Sequence, residues 1–351
     1  MEPNWMIYGA NGYTGELIVE HAVSLGLRPT LAGRNREKTS ALASKLGLPV
    51  RIFPLRSLKD VIKSLEGINT VLNCAGPFSH TAKVMMEACL VAKVNYLDIT
   101  GEIGVFELAH SYNDRALASN ISLIPGVGFD VVPSDCLALK LKHSLPAGQS
   151  LTLGIYSQGG ASLGTRRTGI EGAKGKAKYR KNGIIMESNF GDNTMEIPYT
   201  LTKTKNALLT TWGDVSSAYR STDIPNIEVY MAAHPKTVRR IRRLRWLRPI
   251  FSRGVIQRLL KWRTRVHKSP SKEIRDTTKA FIWGEVRDPL GNSRIGELVT
   301  PNAYTLTALV AVESVRRTLG GGVRKGTLTP AQAFGEDFIT EFGGVQLKLS
   351  Q

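Results

Sequence analysis

The chain begins with a short apolar run, Trp5-Met6-Ile7-Tyr8, that passes directly into Gly9-Ala10-Asn11-Gly12-Tyr13-Thr14-Gly15 and then Leu17-Ile18. A strand that enters a glycine-spaced turn and leaves it as an amphipathic helix is the opening of a dinucleotide-binding βαβ unit. Gly9 allows the tight turn, Gly12 lets the backbone approach a pyrophosphate, and Gly15 lets the helix pack close to the strand. The helix N-terminus then offers unpaired N–H groups and a favourable dipole to phosphates. The spacing is G-x-x-G-x-x-G rather than the G-x-G-x-x-G of many NAD enzymes. The competing reading is a tight turn that holds no ligand.

The second strand, Pro29 to Gly33, is followed by Arg34-Asn35-Arg36-Glu37-Lys38. An NAD site wants a carboxylate here for the ribose 2′-hydroxyl. Arg34 stands in that place instead, with Asn35, Arg36 and Lys38 beside it. A guanidinium grips a 2′-phosphate through two parallel hydrogen bonds, so the expected cofactor is NADPH. The bland alternative is a solvated basic turn before a helix that starts near Arg36, with Glu37 as an ordinary first-turn acid.

Strand and helix patterns then alternate. Strands are expected at 50–53, 69–75, 95–100 and 121–124, and helices at 58–65, 81–93 and 105–119. Six strands alternating with helices imply an α/β, Rossmann-type doubly wound parallel sheet. Ligands of such a sheet lie outside the carboxyl ends of its strands. That edge carries the glycine turn, Asn73 to Phe78, Asp98, Gly101-Glu102 and Gly128-Phe129-Asp130.

A length of 351 residues suffices for two domains. The expected division is a nucleotide-binding domain at 1–130, an α+β domain on a mainly antiparallel sheet at 131–300, and C-terminal helices at 301–351 that pack back on the first domain. Cys74, Cys89 and Cys136 have no metal-ligand spacing, so no metal is expected. They suit a reducing compartment. The first strand begins at once, which leaves no room for a signal or transit peptide, and no apolar run reaches the ~18 residues of a membrane span. The expected location is cytoplasmic, with peripheral membrane attachment as a variant of it.

The formal net charge is +18, and residues 236–272 hold fourteen Lys or Arg with no Asp or Glu. Apolar residues recur there at helical spacing, at Ile241, Leu244, Phe251, Val255, Leu259, Trp262 and Val266, with Pro249 as an interruption. A basic amphipathic segment of this kind suits an anionic membrane surface or an acidic carrier protein. It also fits a helical pair with a solvated basic face. No zinc-finger, homeodomain or RNA-binding motif points to nucleic acid. A homodimer is open.

In the second domain, Cys136 to Leu145 reads as a helix capped by Ser134 or Asp135. Strands are expected at 151–156, 184–186, 196–201, 227–232 and 279–287. The stretch 159–175, rich in Gly and basic residues, reads as a pocket lining or a helix start. Asn302 to Leu319 is a helix ended by Gly320-Gly321-Gly322. Thr329 caps a last helix with Pro330 at its first position. Tyr199-Thr-Leu-Thr-Lys203 matches the Tyr-x-x-x-Lys of short-chain dehydrogenases, but it follows Pro198 in a strand-like stretch of the wrong domain.

Four segments together, Tyr8 to Gly15, Asn73 to Phe78, Tyr96-Leu-Asp-Ile-Thr-Gly-Glu102 and Pro125 to Asp135, resemble the saccharopine dehydrogenase-like oxidoreductases, in particular their trans-acting enoyl reductase branch. Thr329 to Gly335 fits the same resemblance, which is strong over 5–145, patchy over 300–340 and weak between. It implies a Rossmann domain with a mixed α/β domain, NADPH as hydride donor, and reduction of an activated double bond in a lipid or polyketide-type substrate. Saccharopine reductases proper reduce a C=N bond, so imine or carbonyl reduction is the alternative. A non-catalytic, membrane-associated NADPH-binding scaffold is a second one.

The expected cofactor-binding residues are Gly9, Asn11, Gly12, Tyr13, Thr14, Gly15, Arg34, Asn35, Lys38, Asn73, Ala75, Gly76, Pro77 and Phe78. Conjugate reduction also needs charge stabilisation and a proton. The catalytic candidates are Tyr96, Asp98, Glu102 and Asp130, each with a structural cap or buried hydrogen bond as its alternative.

Overall fold

The computed structural model describes residues 4–160, 176–200, 203–236, 238–239 and 269–350. The chain forms two compact units, Met1–Val132 with Tyr304–Phe342, and Pro133–Ala303 with Gly343–Gln351.

The first unit alternates strand and helix: β1 (Trp5–Tyr8), α1 (Tyr13–Ser24), β2 (Thr30–Gly33), α2 (Arg36–Leu46), β3 (Val50–Ile52), α3 (Leu58–Ser64), β4 (Thr70–Asn73), α4 (Phe78–Ala92), β5 (Asn95–Asp98), α5 (Ile103–Ser111), α6 (Asn113–Ala118) and β6 (Ser122–Ile124). These strands and β15 (Gly326–Thr327) form one parallel sheet in the order β15-β6-β5-β4-β1-β2-β3. The order reverses between β1 and β4, where a doubly wound sheet opens its ligand crevice.

Both faces of this sheet are covered, so its strands read as continuous apolar runs. Ile7, Leu31, Leu72 and Leu97 face a layer containing Ile18 and Val19 of α1 and Ala311, Val312 and Val315 of a long later helix, Ala303–Leu319. Met6, Val71, Tyr96 and Leu123 face the other layer, built on Val61, Met85, Met86 and Val105.

The second unit contains α7 (Val132–Ser144), β7 (Ser150–Ser157), β8 (Ala177–Lys181), β9 (Ile184–Ser188), β10 (Thr194–Thr200), β11 (Lys203–Leu209), α8 (Asp214–Thr222), β12 (Asn226–Ala232), α9 (Lys272–Thr277), β13 (Lys279–Arg287), β14 (Ser293–Pro301) and β16 (Gln346–Ser350). Its sheet runs β10-β11-β12-β7-β13-β14-β16, with the β8–β9 hairpin attached to β12. The pairings are antiparallel except β12 with β7. The mainly antiparallel second sheet therefore stands as expected. Leu137 and Leu141 of α7 sit so close over Gly284 and Gly296 that a Cβ at either glycine would come within 2.9 or 2.5 Å of a leucine methyl.

Several local expectations need correction. The helix expected at 105–119 is two helices that break at Tyr112, whose hydroxyl donates to Glu87. The helix expected from Cys136 starts at Val132, so Ser134 and Asp135 lie inside its first turns and do not cap it. Both turn inward to α8: Ser134 Oγ donates to Asp214 and Asp135 accepts from Ser221. The last residues are not helical, because β16 pairs with β14 in the second sheet. Most of the Gly-rich stretch 159–175 and of the basic segment 236–272 lies outside the described residues.

Candidate functional site

The carboxyl edge of the parallel sheet is built first by the β1–α1 turn. Gly9 has φ +83°, and a Cβ there would lie 2.8 Å from the Ala75 backbone nitrogen. A Cβ at Gly15 would lie 2.4 Å from the Gly9 carbonyl oxygen. The chain's own backbone thus requires both glycines. Gly12 is exposed, has φ −84° and ψ 158°, and forms the N-cap of α1 without any side-chain acceptor. The helix therefore presents its N-terminus unshielded by a cap, as an anion site requires. Thr14 is partly exposed there, and the Tyr13 ring packs edge-on against Tyr304.

Asn11 Oδ1 accepts from Thr39 Oγ1 at 3.2 Å, which ties the turn to α2. Gly33 makes room for this bond, since a Cβ would come within 3.1 Å of both oxygens. Arg34 follows at the end of β2 and is exposed, as are Arg36 and Lys38. Asn35 is the N-cap of α2 and accepts the Lys38 amide at 2.9 Å, so its side-chain oxygen is already engaged. Tyr8, beneath this edge, has its hydroxyl pushed up to about 12 by burial, with Arg34 pulling the other way.

The β4 side is pinned just as firmly. Asn73 is fully buried. Its Oδ1 accepts the Ala75 amide at 3.1 Å, and Thr81 Oγ1 donates to the Ala75 carbonyl at 2.7 Å. These bonds fix the shape of the loop that follows β4. The loop continues through a cis Gly76–Pro77 bond into α4, which begins at Phe78, earlier than the expected Thr81.

The four catalytic candidates separate by burial. Tyr96 and Asp98 have no exposed surface. Tyr96 donates to Asp98 Oδ2 at 2.6 Å and accepts from Asn73 Nδ2 at 3.3 Å. Asp98 Oδ1 accepts the amides of Thr100 and Gly126 at 3.0 and 2.9 Å. Burial raises the Asp98 carboxyl to about 6 against these bonds. The pair ties β4, β5 and β6 together, and neither residue has exposed surface in this structure. Glu102 accepts the amides of Phe78 and Ser79, both at 2.8 Å, through its two oxygens. It is a cap for α4 supplied from another loop. Asp130 is partly exposed, and its carboxyl lies against Gly101, where a Cβ would be 3.0 Å from Oδ2. Burial of that carboxyl raises it to about 6.

Tyr199 does not lie on a helix. It sits on β10 of the second unit, edge-on to Tyr156 and Phe281, with the Lys205 ammonium 5.3 Å from its ring centre. The described residues contain no cluster of metal-ligating side chains. No helix among them is long and apolar enough to cross a membrane.

Comparison with known proteins agrees with this geometry. Residues 9–121 match a family model described as NAD(P)H-binding. The chain is 28% identical over 202 residues to a saccharopine dehydrogenase-like oxidoreductase of Mus musculus, covering 50% of this chain and 47% of that protein. It is 28% identical over 221 residues to a trans-acting enoyl reductase of Mycobacterium bovis, covering 58% of this chain and 50% of that one. The aligned part spans about half the length of these relatives. In fold it is similar to a saccharopine dehydrogenase of Saccharomyces cerevisiae, with a TM-score of 0.67 at 12% identity over 99% of this chain and 100% of that one. The resemblance to saccharopine dehydrogenase-like oxidoreductases and trans-acting enoyl reductases therefore holds in sequence, and the architecture is that of saccharopine dehydrogenase. Residues 9–121 therefore carry an NAD(P)H-binding domain in both sequence and fold.

Proposed function

We propose that this protein is an NADPH-dependent reductase that delivers hydride to an activated C=C bond of an apolar, lipid- or polyketide-like enoyl substrate. The observation that carries the reading is the carboxyl edge of the parallel sheet. An exposed glycine and an uncapped helix N-terminus stand at the crevice, and exposed Arg34 follows β2 where an NAD site has a carboxylate, with exposed Lys38 in the first turn of α2. Gly9, Gly12, Thr14 and Gly15 would hold the pyrophosphate, and Arg34 with Lys38 the 2′-phosphate. Ala75, Gly76, Pro77 and Phe78 would border the other half. Bound NADPH supplies the hydride.

Of the acid candidates, Asp130 is the one we favour as the proton-holding group, a reading supported by its partial exposure and its raised carboxyl. An enoyl substrate is favoured over others by the likeness to the trans-acting enoyl reductase. The likeness to saccharopine dehydrogenase-like proteins supports imine or carbonyl reduction as the second reading. The basic segment 236–272 would dock an anionic membrane or an acidic carrier that presents the substrate.

NADPH consumption against enoyl thioesters, cyclic imines and ketones is the test. Turnover of enoyl thioesters alone is the expected result. Turnover of imines or ketones instead moves the reading to the second, and binding without turnover of any class supports a scaffold. Liposome flotation, compared with a variant charge-reversed at Arg239, Arg240, Arg242 and Arg243, tests the docking. Flotation unchanged by charge reversal contradicts it.

A further inference from the structure

The N-terminus of α4 shows an arrangement that neither hydride transfer nor nucleotide binding by itself accounts for. A helix that starts after Gly76-Pro77 has no local acceptor for its first amides, because Pro77 at the N-cap makes no side-chain bond. The acceptor arrives from the loop after β5. Glu102 places one carboxylate oxygen on the Phe78 amide and the other on the Ser79 amide, each at 2.8 Å. Two charge-assisted bonds at the positive end of a 15-residue helix form a strong local fastening.

Glu102 is itself held in place. Its amide donates to Thr100 Oγ1 at 3.0 Å, and the Thr100 amide donates to buried Asp98 at 3.0 Å. A continuous line of bonds therefore runs from the floor of β5 through Thr100 and Glu102 to the start of α4. That line ends on the Phe78 and Ser79 amides, directly after the segment 75–77, which abuts the glycine turn: Ala75 leaves no space for a Cβ at Gly9. This segment stands on the β4 side of the switch point, whereas Arg34 stands on the β2 side. In a doubly wound sheet the two halves of a dinucleotide lie on opposite sides of that point, the adenine ribose at the end of β2.

We propose that Glu102 is a positioning residue for the nicotinamide half of the cofactor. It acts through α4 and the 75–77 segment, and it is not an acid–base group, because both of its oxygens already accept backbone amides. The inference rests on the NADPH reading of the same site. It assigns Glu102 to one half of the ligand only, which makes it separable from a role in overall stability.

The experiment titrates wild type, Glu102→Ala and Glu102→Gln with NADPH and with 2′,5′-ADP, which carries the adenine half alone, and records a thermal melt of each. The expected result is an NADPH affinity about tenfold lower in Glu102→Ala, with 2′,5′-ADP affinity unchanged. Glu102→Gln keeps one accepting oxygen and should fall between the two, and it carries the test if the alanine variant does not fold. Equal losses for both ligands, or no loss for either, overturn the proposal. Wild-type protein that binds neither ligand overturns the nucleotide reading itself, and this inference with it.

Discussion

Replacing the three glycines of the β1–α1 turn one at a time separates what the chain's own backbone demands from what a ligand demands. At Gly15 an added Cβ would stand 2.4 Å from the carbonyl oxygen of Gly9 and 3.0 Å from that of Ala10. At Gly9 it would stand 2.8 Å from the Ala75 nitrogen, on a backbone with φ +83°. These neighbours are main-chain atoms and cannot swing aside. Overpacking of this kind costs about 1–3 kcal/mol, and the left-handed backbone at position 9 adds roughly 1–2 kcal/mol for a residue with a Cβ. Gly12 is different. Its φ of −84° and ψ of 158° suit any residue, and the one neighbour of an added Cβ is the Gly9 oxygen at 3.3 Å. Alanine there should cost under about 1 kcal/mol of stability. On the proposed reading, glycine at position 12 leaves room for a phosphate to rest on the backbone. Gly12→Ala should therefore melt close to wild type yet bind NADPH at least about tenfold more weakly, a loss of ~1.4 kcal/mol. Gly15→Ala should melt several degrees lower, at ~2–4 °C per kcal/mol. Thermal melts and fluorescence titration read both quantities. A Gly12→Ala variant that binds NADPH as wild type does would refute the placement of phosphates on this turn. A Gly15→Ala variant with an unchanged melt would refute the steric argument.

Two further predictions concern the buried acids. Tyr96→Phe removes the hydroxyl that donates to Asp98 Oδ2 and accepts from Asn73 on β4, and should destabilise the protein by about 1–3 kcal/mol; a melt equal to that of wild type would show that this hydroxyl does not help hold β4 to β5. Asp98 is raised from 3.8 to about 6 in the folded chain, so between those values the native state holds more protons than the unfolded state. The stability that follows from this is fully present below pH ~4 and is lost as pH rises through ~6, by up to ~3 kcal/mol. Asp130 acts in the same direction. Urea unfolding across this range should show the fall, and Asp98→Asn should flatten it. A slope of the opposite sign, or one that the substitution leaves unaltered, would contradict the burial argument.

Much of the first unit was legible because its signals are local. The glycine spacing, the apolar runs of β1 and β4, and the Thr329 capping box with Gln332 lie within a few residues of the features they create. The polar residues of β5 allow two readings for a physical reason. Both faces of the parallel sheet are covered, so a polar side chain on a central strand either meets a ligand or meets another buried polar group. Tyr96 and Asp98 are two apart on one strand and so share a face, and this spacing was the available signal that they bond to each other. Glu102 was not readable as a cap, because its amides lie on a helix that begins 24 residues earlier in the chain. In the second unit, β14 was missed because Gly296 and charged residues interrupt its alternation, and β16 because an exposed edge strand has little apolar pattern to show.

The reading turns on which nucleotide the carboxyl edge of the parallel sheet selects. The direct measurement is a fluorescence titration of wild type and Arg34→Ala with NADPH and with NADH. The expected result is tighter binding of NADPH than of NADH, a loss of about 1.5–3 kcal/mol for NADPH in the variant, and no change for NADH. Equal affinity for the two nucleotides, untouched by the substitution, would contradict it.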